Sequence, residues 1–135
     1  MEEFLEDLKQ RSLTALFPED LPLEEDLLEV EEQLFLPLPK DYRQFLLEAG
    51  NLIFSGYELC TAADSGSQFY LPEIASQAWD QGLPRDTFPI CVYRDNLFCM
   101  DSGGRIKLWG NGEFTENEWE DIWDWAKDVL AKSAP

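Results

Sequence analysis

Apolar positions recur at helical spacing near both ends of this chain and in short unbroken runs between them. Phe4, Leu5 and Leu8, set among Glu3, Glu6 and Asp7, predict a first amphipathic helix. Pro18 and Pro22 bound the break that follows. Leu23, Leu27, Val30 and Leu34 repeat at intervals of four, three and four, which predicts a second helix with one apolar stripe, stopped by Pro37 and Pro39. Its first turn carries Glu24, Glu25 and Asp26, where the helix dipole favours negative charge. A third helix is expected from Pro39, burying Tyr42, Phe45, Leu46 and Ala49 and ending on Gly50 as a left-handed cap. Leu52, Ile53, Phe54, Tyr57 and Leu59 then read as a strand bulged near Gly56, and Thr61 to Gln68 as a loop. Pro72 to Asp80 reads as a short helix with Ile74, Ala75, Ala78 and Trp79 inward, closed by Gly82.

The last third reads as a meander. Strands are predicted over Phe88 to Tyr93, Leu97 to Met100 and Arg105 to Trp109, with turns at Arg94-Asp95-Asn96 and Ser102-Gly103-Gly104. A three-residue first turn sets Cys91 opposite Cys99, expected as a reduced core pair. Asn111-Gly112 is a hairpin signal, although a terminal helix leaves it little strand to pair with. That helix is placed by Thr115 and Glu118, which match a capping box, and by the stripe Trp119, Ile122, Trp123, Ala126 and Leu130. The predicted order gives one α+β domain over residues 1–135, an antiparallel sheet of four or more strands flanked by N-terminal, central and C-terminal helices.

Charge narrows the function. Ten Lys and Arg against 28 Asp and Glu in 135 residues leave a net charge of -18. Such a surface repels phosphate and anionic bilayers, so neither nucleic acid nor membrane is expected as a direct partner, and a basic protein is. Histidine is absent, which removes Ser-His-Asp and Cys-His catalysis and every His-dependent metal site. Cys60, Cys91 and Cys99 have no CxxC spacing and read as buried apolar side chains in a reducing compartment. Asp64-Ser65-Gly66 and Asp101-Ser102-Gly103 repeat a tripeptide that could suggest a carboxylate dyad, but these are ordinary turn residues in a chain too short for two protease lobes. No loop has the ligand pattern of a calcium site. The expectation is therefore a non-enzymatic protein without metal or cofactor. The spaced apolar residues after Met1 predict no secretory leader, and no apolar run approaches a membrane span, so a soluble cytoplasmic protein is expected.

The acids fall in two blocks: eight acids and no base over Glu19 to Glu32, and seven acids with one base, Lys127, over Glu113 to Asp128. Solvated helix faces ordinarily mix signs, so these blocks point to a binding role. On the terminal helix Glu120, Asp121, Asp124 and Asp128 are expected outward. Trp125 falls off the apolar stripe beside them, either as an exposed interface anchor or as a cover for a neighbouring strand. These five residues are the candidate partner-binding site.

From Glu31 onward the order of features resembles the SUKH superfamily, which groups bacterial immunity proteins with fungal cell-wall-assembly regulators. The resemblance rests on Glu31, Leu34, Leu38-Pro39, Tyr42, Phe45-Leu46 and Gly50-Asn51, then on the turn Asp101 to Gly104 and the aromatic, acidic segment Trp119 to Leu130. It covers about Val30 to Leu130. Phe35 stands where the family usually has glycine, and Ala49-Gly50-Asn51 replaces its usual Asn-Gly-Gly. The resemblance implies no catalytic residues. It implies a binding protein, with bacterial members similar to cognate inhibitors of secreted toxins, many of them nucleases or deaminases. The expected function is an immunity protein that occludes such a toxin, as a monomer or weak homodimer. The alternative is a regulatory adaptor of the same fold.

Self-repulsion at this net charge is screened by salt over about 8 Å at physiological ionic strength. Thermal melts should therefore give a Tm that rises from low to moderate NaCl; a flat or falling Tm would mean that the carboxylates are locally compensated.

Overall fold

Short connections between successive apolar strands leave little freedom in how they pair, and the chain folds as a simple meander. The computed structural model describes residues 2–11, 21–50, 52, 54 and 56–132. In chain order the elements are α1 (Glu2–Arg11), α2 (Glu24–Leu34), α3 (Lys40–Ala49), β1 (Glu58–Leu59), α4 (Leu71–Asp80), β2 (Thr87–Tyr93), β3 (Asn96–Asp101), β4 (Ile106–Gly110), β5 (Glu113–Trp119) and α5 (Ile122–Trp125). α5 continues into a wider π-helical turn over Ala126–Leu130, closed by the Ala131 N–H on the Ala126 carbonyl at 2.9 Å. The five strands form one antiparallel sheet in the order β1-β2-β3-β4-β5. The fold is α+β and single-domain, as the sequence predicts.

Alternation along β3 sends Phe98 and Met100 to one face and Leu97 and Cys99 to the other. The first face meets α3 and α5. Tyr42 packs on Phe88 with ring centroids 5.7 Å apart, and Trp125 meets Phe98 edge-on at 5.3 Å. Trp123 joins Phe45 of α3 to Phe4 of α1, at 5.7 and 6.3 Å. A smaller core of Ala78, Leu83, Cys99 and Trp109 lies under α4 on the second face, where the Trp79 indole N–H donates to the Thr87 carbonyl at 2.8 Å.

Several local expectations are corrected. The β2–β3 turn has two residues, Arg94 and Asp95, with Tyr93 paired to Asn96. That one-residue difference puts Cys91 opposite Phe98, and a bulge between Pro89 and Cys91 then sets Cys99 opposite Pro89; the two cysteines lie on opposite faces and do not meet. Asn111 and Gly112 take φ of +54° and +81°, as a type I′ turn requires, and do have a strand to pair with: Gly110 faces Glu113 at the start of β5. The terminal helix is correspondingly shorter, and Thr115 sits in β5, its hydroxyl accepting from the Asn117 N–H at 3.2 Å instead of capping a helix. β1 is confined to Glu58–Leu59, with an isolated bridge between Phe54 and Tyr57. Leu23 is an exposed residue before α2 and outside its buried stripe, and α2 ends on Phe35 in the left-handed region, ahead of both prolines. Gly50 is right-handed, with φ of −66°; its lack of a side chain matters because a Cβ there would fall 2.5 Å from the Leu46 carbonyl oxygen. Pro18, Glu19, Asp20, Asn51 and Ile53 lie outside the described residues.

The α2–α3 corner depends on one carboxylate. Pro37 and Pro39 have no N–H, which leaves the buried Leu38 N–H between them needing an acceptor. Glu31 Oε2 accepts it at 2.7 Å, while Glu31 Oε1 accepts from the Arg43 guanidinium at 2.7 Å. Arg43 reaches on to Glu24 at 2.6 Å, tying both ends of α2 to α3. Hydrogen bonds to charged groups contribute about 1.5–3 kcal/mol, and removing the acceptor also strands a buried N–H. Glu31→Ala should lower the urea midpoint by the equivalent of about 2–3 kcal/mol at constant m-value. Glu29→Ala on the outward face should stay within about 0.5 kcal/mol. Equal losses at the two sites would mean that Glu31 does not hold the corner.

Candidate functional site

The predicted site residues all lie in the segment that leaves the edge strand β5 and folds α5 back on the sheet. β5 itself is polar and exposed at Glu113, Thr115, Glu116, Asn117 and Glu118, a charged edge that resists pairing with another chain. Past the strand, Asp121 caps α5. Its Oδ1 accepts from the Asp124 N–H at 2.8 Å, and Asp124 Oδ2 accepts in return from the Glu120 N–H at 3.2 Å. One turn on, Asp128 accepts from the Trp119 indole N–H at 2.9 Å and from the Lys132 ammonium at 3.1 Å. The indole hydrogen bond, seconded by Lys132, holds the Asp128 carboxyl below its ordinary value.

Glu120, Asp121, Asp124 and Asp128 are thus gathered in one stretch, and three of the four carboxylates have structural work within it. Trp125 is a correction. It is 0% exposed and packs on Phe98, so it is not a surface anchor. Trp125 lies three residues after Ile122 and shares the inward side with it and Ala126; the stripe drawn through Trp119 and Leu130 does not define that side, because Trp119 lies in β5 and the turn over Ala126–Leu130 is π-helical.

The second acidic surface is α2. Glu24 and Glu31 are engaged by Arg43, and Asp26 Oδ2 accepts from the Leu23 N–H at 2.7 Å. Glu25, Glu29 and Glu32 are exposed with no ion pair among the described residues. Besides Leu23 at the start of the segment, 60% exposed, two large apolar side chains stand out along it, Leu28 at 55% and Phe35 at 84% exposure. Neither belongs to a predicted stripe; the one signal in the sequence is an apolar Leu28 out of phase with Leu27, Val30 and Leu34.

The cysteines are free and buried, and burial pushes all three thiols up, away from the reactive thiolate. Burial likewise raises the Tyr42 hydroxyl, with Cys60 and Cys91 beside it adding to the effect. Among the described residues no group of three His, Cys, Asp or Glu side chains is placed to hold a metal ion, and no helix is long and apolar enough to cross a membrane.

A family model described as SMI1-KNR4 cell-wall, SUKH_5, matches residues 1–131. The chain belongs to this SUKH family. The match includes α1, which lies outside the resemblance read from Glu31 onward. A solved protein from Pseudomonas syringae pv. tomato is 38% identical, with a TM-score of 0.92 over 98% of this chain and 100% of that one. No curated protein matches. The SUKH motif residues have structural roles here: Glu31 holds the α2–α3 corner, and Asp101 Oδ1 accepts from the Gly103 and Arg105 N–H groups at 2.9 and 3.1 Å to close the β3–β4 turn.

A carboxyl depressed in the fold contributes stability above its unfolded value, about 3.9, and loses it as pH falls through the folded value. In Trp119→Phe the Asp128 midpoint, followed by carboxyl NMR, should rise toward that unfolded value; an unchanged midpoint would remove the indole as its cause. Trp125→Ala should cost about 3–5 kcal/mol in chemical denaturation, as a core truncation does. A cost below about 0.5 kcal/mol would instead return Trp125 to the surface.

Proposed function

We propose that this protein is a non-enzymatic, cytoplasmic binding protein for a basic protein partner, and that it acts as an immunity protein by occluding a toxin domain directed at nucleic acid. The observation that carries the reading is the unbalanced surface: a net charge of -18, with exposed carboxylates at Glu25, Glu29, Glu32, Glu120 and Asp124. Membership of the SUKH family supports it. A toxin that binds nucleic acid needs a basic groove, and carboxylates set on a folded surface can occupy such a groove in place of phosphate. Long-range attraction then raises the encounter rate, while apolar contacts set the lifetime of the complex. The cell-wall description of the family favours a second reading, a regulatory adaptor that docks a cellular partner through the same surfaces.

The test is to sequence the flanking genes and co-express this chain with the product encoded immediately upstream. Rescue of growth, with a complex whose association rate falls about tenfold or more between roughly 50 and 300 mM NaCl, is the expected result. An upstream product that is harmless, or that kills equally in the presence of this chain, would overturn the immunity reading.

A further inference from the structure

Phe35 is held in a backbone conformation that its side chain disfavours, and the fold gives nothing in return. Its φ is +57°, in the left-handed region where glycine or asparagine ordinarily ends a helix. The structural task there is a backbone hydrogen bond, from the Phe35 N–H to the Glu31 carbonyl at 3.0 Å, which glycine would make equally well. The ring is 84% exposed. Leu28, seven residues earlier on the outward side of α2, is also exposed, and Glu25, Glu29 and Glu32 are exposed on the same helix with no ion pair among the described residues. Phe35 also forms one wall of an open groove of about 400 Å³, whose far side carries Glu73, Trp79 and Asp80 of α4 together with Arg85, the guanidinium of which lies over the Trp79 ring at 4.4 Å.

We propose that Leu28, Phe35 and the carboxylates around them form the docking surface for a cationic protein segment that carries apolar side chains. The inference rests on the basic-partner reading above and places its apolar anchor on α2, away from α5. Charge selects the occupant: a second copy would bring two such acidic faces together, and an anionic bilayer is repelled in the same way. Phe35 and Leu28 supply the short-range contact, and Glu25, Glu29 and Glu32 the attraction.

The test is an NMR titration of the full chain with two probes of equal charge: polylysine, and an amphipathic lysine–leucine peptide of about 18 residues. The amphipathic peptide should shift Leu28, Glu29, Glu32 and Phe35 and bind at least about tenfold more tightly than polylysine. Phe35→Gly should abolish that preference while leaving Tm unchanged or higher, because glycine relieves the backbone strain. A preference that survives Phe35→Gly, or shifts confined to Glu120–Asp128, would overturn the proposal and leave the basic-partner reading standing. Failure of both probes to bind anywhere would overturn both. Concentration-dependent shifts at Leu28 and Phe35 without peptide, with a dimer in sedimentation, would make a second copy the occupant and overturn it. A lower Tm in both Phe35→Gly and Phe35→Asn would show that the fold itself holds the ring, with the same consequence.

Discussion

The Glu31 carboxylate is the interaction on which the helical layer depends. It answers the one N–H stranded between Pro37 and Pro39 and the guanidinium of Arg43 at the same time, and so fixes the angle at which α3 leaves α2. α3 in turn lays Tyr42 on Phe88 and Phe45 on Trp123, and the sheet, α5 and α1 are joined through those rings. A carboxylate can do this because both oxygens accept and the charge strengthens each bond. Fixing the inward side of α2 also fixes which of its residues point away, and those are Glu25, Leu28, Glu29 and Glu32.

Scarce cations are distributed unevenly over this surface. Arg43, Arg105 and Lys132 form ion pairs. Arg85, Arg94, Lys107 and Lys127 instead lie over the rings of Trp79, Tyr93, Phe114 and Phe4. These four cations make no ion pair among the described residues, but each still counts in the net charge of -18, and the acidic field is what remains after them. The two acidic regions differ in consequence. Around α5 the carboxylates cap a helix and hold an indole, which gives them a reason to be present in the fold alone. On α2 three carboxylates and two apolar side chains have no such reason, and that contrast moves the centre of interest from the C-terminal segment to α2.

Periodicity and turn chemistry alone determined most of the architecture. The stripes of α2, α3 and α4, the meander of β2 to β4 and the α+β class follow from apolar spacing, because burial of one face requires it. The acidity and its two blocks are likewise properties of the sequence. Tertiary structure decided what spacing leaves open. The β2–β3 turn is one residue shorter than expected, and that single residue separated Cys91 from Cys99. The Asn111-Gly112 hairpin claimed Glu113–Trp119 for the sheet, where pairing with β4 outweighs the helical signal of Thr115 and Glu118. With Trp119 in β5 and a π-helical turn over Ala126–Leu130, the inward side of α5 includes Trp125, which packs on Phe98. Glu31 and Phe35 were visible as residues, but their roles were not: one depends on an acceptor reaching across a corner, the other on a backbone angle, and neither leaves a periodic trace in a sequence.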